Sequence, residues 1–198
     1  RGWGTPAVVG AEEIKIGKNI EVFTNKGLYI AKALILATGA SWKRLDARGE
    51  DRFFGFGVHY CASCDGYMYK GKKVAMVGGG NTALTDALHL KNLGAEVLII
   101  HRRDAFRAEK HLHDAVEKSD IPILWDSVVE EIEGEETRVG NLKVKNLKDG
   151  TVRNVEVDGL FVAIGSNPSN EIAKQVGLTL DEQGYVKVDR AMRTNIPR

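Results

Sequence analysis

The sequence predicts an α/β protein in which one three-layer domain, carrying an antiparallel β-meander, is inserted into a second domain of the same type. Three observations predict it. An apolar run from Lys72 to Gly78 enters a glycine-rich turn, an amphipathic stretch from Asn81 to Leu93 follows, and a second apolar run occupies Glu96 to Ile100. That succession is a βαβ unit, whose strands are covered on both faces and so read as continuous apolar runs. Three alternating segments then follow, with an Asp149-Gly150 hairpin signal. Finally, β-type patterns stand at both ends of the chain, as if the middle interrupted them. The boundaries read as 1–45 for the first part of the outer domain, 46–171 for the inserted domain, and 172–198 for the return.

In chain order, Val8 to Lys15 and Ile20 to Thr24 alternate apolar and polar residues before an Asn25-Lys26-Gly27 turn. Ala33 to Gly39 is a continuous apolar run ending in glycine, which predicts a strand buried on both faces. A polar stretch, Lys43 to Arg52, separates it from the cysteine region. In the Asn81–Leu93 helix, Leu84, Ala87, Leu88 and Lys91 recur on one face, and Gly94 ends it. Ala108 to Lys118 reads as another helix. Ser127 to Glu133, Leu142 to Leu147 and Thr151 to Val157 make the meander, and Asp158 to Gly165 a last buried strand. Ser169 is expected to cap a short helix closing at Gly177. A Gln183-Gly184 turn then leads into alternation from Tyr185 to Val188. Both ends read as cut out of a larger fold.

Composition excludes several classes of function. Lys and Arg number 28 against 27 Asp and Glu, a formal net charge of +1, so nothing points to nucleic acid or an anionic membrane surface. No apolar run approaches the ~18 residues of a membrane span, and no signal segment opens the chain. Two cysteines in 198 residues make no secreted disulfide scaffold. A redox-active pair in the cytoplasm fits better.

Those two cysteines, Cys61 and Cys64, form a Cys-Ala-Ser-Cys run. Spacing this close lets one thiolate resolve the other's mixed disulfide. A zinc half-site is the first alternative, but structural zinc takes four ligands. No other cysteine exists, and of His59, His89, His101, His111 and His113 only His59 lies near. Two inert buried thiols are the second alternative. The redox reading is preferred, and no metal site is expected.

The turn Gly78-Gly79-Gly80-Asn81-Thr82-Ala83 carries a Gly-x-Gly-x-x-Ala fingerprint between a strand and a helix, which makes the inserted domain Rossmann-like. Gly78 allows the tight turn, Gly80 lets backbone approach a pyrophosphate, and Ala83 keeps the helix close to the sheet. Free N–H groups at the helix start suit the anion. Where a site for unphosphorylated ribose carries Asp or Glu, about 20 residues on, this chain has His101-Arg102-Arg103, with Arg107 beyond. Guanidiniums there favour a 2′-phosphate, hence NADPH over NADH. A dinucleotide does not pass hydride directly to a disulfide, so a relay such as a flavin is expected.

With these motifs in hand, the chain resembles the low-molecular-weight thioredoxin reductases. The resemblance rests on Cys61–Gly66, Gly78–Ala83, His101-Arg102-Arg103 with Arg107-Ala108, Ala37-Thr38-Gly39-Ala40, Gly165–Pro168 and Arg193–Asn195. It implies a thioredoxin-disulfide reductase in which electrons pass from NADPH through FAD and the Cys61–Cys64 disulfide to a thioredoxin-like protein. By resemblance Cys64 faces the flavin, Cys61 attacks the protein substrate, and Asp65 carries protons. Ala37, Thr38 and Gly39 would belong to the FAD site; Ile164 and Gly165 would join the glycine turn and the arginines in cofactor binding. It further implies a homodimer, and rotation of the NADPH domain about hinges near Lys43–Arg48 and Ser169–Val176. The family's opening Gly-x-Gly-x-x-Gly cradle and closing Gly-Asp motif are expected before Arg1 and after Arg198, since neither occurs within the chain. Asp86 stands where relatives usually carry Glu. The flavoprotein component of an alkyl hydroperoxide reductase, a deazaflavin-dependent relative and a non-catalytic nucleotide-binding fragment are the alternatives; the first two should lack the arginine cluster.

Overall fold

Strand β1 (Ala11–Ile16) pairs antiparallel with β2 (Ile20–Thr24), which pairs in turn with β3 (Gly27–Ala31). The structure is a computed structural model that describes residues 10–197, so Val8 and Val9 of the expected first strand lie outside the described residues. The hairpin turns on Asn25-Lys26, with Gly27 at φ 129° taking up a conformation that costs other residues strain. The third strand of this sheet was not anticipated from the pattern.

The expected strand at Ala33–Gly39 does not form. Those residues carry no strand pairing, and Ile35 is 90% exposed. An apolar run becomes a buried strand only where neighbours on both sides supply hydrogen-bond partners and cover, and among the described residues none does so. Next comes β4 (Ala40–Trp42), followed by a single-turn helix α1 (Glu50–Phe53) inside the stretch read as a polar separator. Its Glu50 is buried, because the carboxylate accepts the Leu45 and Asp46 backbone N–H groups and the Tyr60 hydroxyl, and pairs with Arg44.

The next elements build three layers. They are β5 (Val58–His59), α2 (Ala62–Asp65) with a 3-10 turn over Gly66–Tyr69, β6 (Lys73–Val77), α3 (Asn81–Asn92), β7 (Glu96–Ile100), α4 (Lys110–Glu117) and β8 (Ile123–Leu124). The meander β9 (Ser127–Glu135), β10 (Arg138–Asn146) and β11 (Val152–Glu156) precedes β12 (Gly159–Val162). The parallel sheet has the order β5-β12-β6-β7-β8, and the meander the order β11-β10-β9. Alternation assigns each strand residue to a layer. Val74, Met76 and Phe161 pack with Leu84, Ala87, Leu90 and Val116 on the helical side, whereas Ala75, Val77, Leu160 and Val162 pack with Val129, Leu142 and Val144 of the meander. On α3 the buried positions are Ala83, Leu84, Ala87 and Leu90. Lys91, expected on that face, is exposed instead, and its ammonium donates to the Ser119 carbonyl. A helix buries positions three and four apart, and the 83-84-87-90 set satisfies that spacing better.

After the sheet, β13 (Ser166–Pro168) pairs with β4, and α5 (Glu171–Gln175) follows. Its N-cap is Asn170 rather than Ser169, and Gly177, at φ 78°, lies just past its end. The Gln183-Gly184 turn forms, with Gly184 at φ 87°, but Tyr185–Val188 makes only an isolated bridge from Val186 to Leu180. The molecule divides into two units: Arg1–Ser41 with Ser166–Arg198, and Trp42–Gly165.

Candidate active site

Within the larger unit, Cys61 and Cys64 are joined in a disulfide with their Cα atoms 5.3 Å apart. Cys61 is the N-cap of α2, so the turn of helix itself brings the two sulfurs together. The next residue after the Cys-Asp pair, Gly66, has an ordinary helical φ of −60°, so it is not there for backbone freedom. A Cβ at that position would strike the Leu90 side chain. Gly66 therefore lets the disulfide-bearing turn sit directly on α3. Cys64 is exposed and Cys61 partly buried.

Asp65, half-buried beside the disulfide, is bonded through Oδ2 to Nδ1 of His59 at 2.9 Å. The other ring nitrogen of His59 meets the Tyr69 hydroxyl at 2.7 Å. Burial pushes the Tyr69 phenol up to about 12, and the Asp65 and Asp158 carboxylates push it the same way. His59 and Tyr69 were not singled out from the sequence as parts of the redox site; His59 was weighed only as a zinc ligand. The only hint was a histidine two residues before the first cysteine.

The glycine turn lies at the carboxyl end of β6. Gly78, at φ 149°, donates its N–H to the Ile100 carbonyl, and a Cβ on it would strike the Ala163 carbonyl and Ala83. Gly80 opens α3 without a side-chain cap, and a Cβ there would meet nothing within 4 Å. No side chain caps the first turn of α3, the arrangement that suits a phosphate. Asn81 and Thr82 are exposed.

The arginine loop is laced to this turn. Arg107 donates its backbone N–H to the Gly79 carbonyl at 2.8 Å. The Asn81 side chain accepts from the Glu109 N–H and donates to the Glu109 carboxylate, each at 2.8 Å. Glu109 was missed in the sequence because its partner lies 28 residues away in α3. The exposed guanidiniums of Arg102, Arg103 and Arg107 make no salt bridge among the described residues, whereas their neighbour Asp104 faces Lys148. His101, by contrast, is buried against Gly79, where its Nε2 meets the Ala105 carbonyl at 3.1 Å and its ring packs near Phe106 and Trp125. Burial holds its imidazole below the usual 6.5, and the three arginines push in the same direction. Its place is under the turn, supporting it.

Of the remaining expected residues, Ile164 and Gly165 are exposed just past β12, next to Ala163, which approaches Gly78. Ala37, Thr38 and Gly39 lie in the other unit, exposed, where the Thr38 hydroxyl donates to the Ser169 carbonyl and the Ser169 N–H to the Gly39 carbonyl.

A nucleotide-type turn and a disulfide thus share one parallel sheet, the pairing that defines oxidoreductases joining pyridine nucleotides to disulfide chemistry. The chain belongs to the pyridine nucleotide-disulphide oxidoreductase family, which it matches over residues 5–198. Among its relatives, a thioredoxin reductase of Coxiella burnetii is 43% identical over 85% of this chain and 55% of that protein. One of Listeria innocua is 38% identical over 94% of this chain and 59% of that protein. The solved thioredoxin reductase of Lactococcus lactis superposes with a TM-score of 0.85 at 35% identity, covering 96% of this chain and 63% of that one. The chain therefore spans 55–59% of the length of these two curated relatives. Family membership brings with it the use of a flavin and a nicotinamide nucleotide. No helix among the described residues is long and apolar enough to cross a membrane.

Proposed function

We propose that the full-length protein is a thioredoxin-disulfide reductase, using NADPH and FAD to reduce a thioredoxin-like protein. The single observation that carries this is the Cys61–Cys64 disulfide seated on the same α3 helix whose start, with the arginine loop, forms the nucleotide turn. The residues present fit NADPH: the uncapped α3 start would donate to the pyrophosphate, and Arg102, Arg103 and Arg107 would supply donors for a 2′-phosphate. FAD is inferred from the need for a two-electron relay and from the exposed Ala37–Gly39 turn, whose Gly39 sits at φ 70°. The same reading makes 46–171 the inserted NADPH domain, a range that overlaps the compact unit Trp42–Gly165, with the flanking segments contributing to the FAD domain, and the whole a cytoplasmic homodimer.

When bound, the cofactors supply the electron pair that opens the disulfide. The reduced Cys61 thiolate then attacks one sulfur of the partner's disulfide, releasing the partner's other cysteine as a thiolate and leaving a mixed disulfide. The Cys64 thiolate attacks Cys61 Sγ, restores the internal disulfide, and expels the partner's second cysteine. Two electrons leave the pair and two protons go to the partner. Asp65 carries a proton in these steps, being adjacent to Cys64 and tied through its backbone N–H to the Cys61 carbonyl at 3.2 Å. The arginine cluster favours this reading over the alkyl hydroperoxide reductase component and the deazaflavin relative.

The test is a thiol count by mass spectrometry after alkylation of the full-length, flavin-loaded protein. NADPH is expected to convert two blocked sulfurs per chain into two alkylated ones. Sulfurs that stay blocked under NADPH would refute the assignment.

A further inference from the structure

His59 takes no part in the steps proposed above, yet its side chain is enclosed and bonded at both ring nitrogens. It is 5% exposed, at the end of the edge strand β5. Its ring lies on Phe161, centroids 5.2 Å apart and planes inclined by 27°, and meets Tyr69 edge-on at 5.4 Å. Tyr69 reaches this position because residue 159 is glycine: a Cβ there would strike the phenol ring. Both ring nitrogens of His59 are engaged, Nδ1 with Asp65 and Nε2 with Tyr69.

We propose that His59 is a positioning residue for Asp65, holding its carboxylate from Nδ1 while the Tyr69 hydroxyl occupies Nε2. The proposal rests on the reading of Asp65 as the proton carrier. Chemistry orders the chain of bonds in one direction. An ionised carboxylate can only accept, so Nδ1 carries the hydrogen. In the proposed Nδ1–H tautomer Nε2 accepts, and the Tyr69 hydroxyl donates to it. A phenol kept protonated through the neutral range, as burial keeps this one, is suited to that task. The remaining charges near the chain are Asp158, which acts on Tyr69, and Lys72, whose ammonium lies 5.4 Å from the Tyr69 ring centroid. The bond from Nδ1–H fixes the carboxylate rotamer, so that Asp65 presents the same oxygen to the dithiol on every turnover.

A histidine that merely filled the slot between Tyr69 and Phe161 would behave differently, and two amide variants separate the cases. The amide nitrogen of asparagine stands where Nδ1 stands, and that of glutamine where Nε2 stands. His59→Asn therefore keeps a donor for Asp65, while His59→Gln keeps only a partner for Tyr69 and better preserves volume. The full-length protein, reduced with dithiothreitol, is mixed with the small aromatic disulfide dithiobis-nitrobenzoate, and the rate of exchange is followed without bound nucleotide. His59→Asn is expected within about threefold of the parent, and His59→Gln at least about tenfold slower, the lower end for a lost hydrogen bond to a charged group. Flavin reduction by NADPH should be the same in all. Nitrogen-15 NMR of the ring should show the Nδ1–H tautomer. Parent-like exchange in His59→Gln with slow exchange in Asp65→Asn overturns this proposal alone; parent-like exchange in Asp65→Asn overturns the reading of Asp65 itself. An Nε2–H tautomer, or equal losses in both amide variants that track their melting temperatures, also overturns the positioning role.

Discussion

Arginine and histidine share one motif at residues 101–103, yet burial gives them opposite tasks. Arg102 and Arg103 are exposed, with no salt bridge among the described residues, while His101 is 6% exposed beneath Gly79. Replacing both arginines with alanine is expected to weaken NADPH by several kcal/mol, at ~1.5–3 for each hydrogen bond to a charged group, and to leave NADH nearly unchanged. Steady-state kinetics of the full-length protein with both nucleotides reads this directly, and equal losses would sink the 2′-phosphate assignment. His101 makes a prediction about pH. Its folded form is held below 6.5 by burial and then by the arginines, so the unfolded chain binds the proton more readily. Stability should therefore be unaffected well above 6.5 and fall as pH drops through it. Melting temperatures between mildly acidic and neutral pH are expected to fall more steeply for the parent than for His101→Asn.

Two contacts between elements set the site's geometry. The Asn81–Glu109 pair ties the start of α3 to the start of α4, and with it the arginine loop. Asn81→Ala is expected to cost about 1 kcal/mol of stability and to weaken NADPH beyond that, because the arginine loop is then less firmly tied to the turn. A double-mutant cycle with Glu109→Ala measures the coupling, and strict additivity would show that the bridge does not position the loop. The second contact is α2 on α3. Leu90 is fully buried, so the Cβ of Gly66→Ala must displace either its side-chain end or the disulfide-bearing turn. The expected cost is about 1–3 kcal/mol, as for other overpacked interiors. Thermal denaturation gives that cost, and an unchanged melting temperature would mean the turn sits higher than described.

At the scale of the whole protein, the proposed function requires the two cysteines to face different partners, one toward the electron source and one toward the substrate. With Cys61 as the attacking residue, the Cys64→Ser protein is expected to trap a thioredoxin as a mixed disulfide once the partner's resolving cysteine is removed. Cys61→Ser should not, and both should lose turnover. Non-reducing electrophoresis reads the trapped species, and trapping by Cys61→Ser in place of Cys64→Ser would reverse the assignment. The hinge expected near Lys43–Arg48 meets a constraint: the buried Glu50 carboxylate accepts the Leu45 and Asp46 N–H groups.

The βαβ unit, the meander and the closeness of the two cysteines were determined by the sequence itself. Strands covered on both faces need an unbroken apolar run, a phosphate turn needs glycine at set positions, and a dithiol needs its cysteines close, so each leaves a local mark. Ala33–Gly39 shows the limit of such marks. Its apolar run resembles that of β6, but β6 has β7 and β12 beside it, and Ala33–Gly39 has no paired neighbour among the described residues. Tertiary structure alone decided the Asp65–His59–Tyr69 chain and the lacing of Arg107 and Glu109 to the glycine turn. Val58-His59 is too short to show any period, and it becomes a strand only by pairing with Leu160 and Phe161, a hundred residues away. Contacts made by closing loops that long depend on where the sheet places its strands, and no spacing within the sequence encodes them.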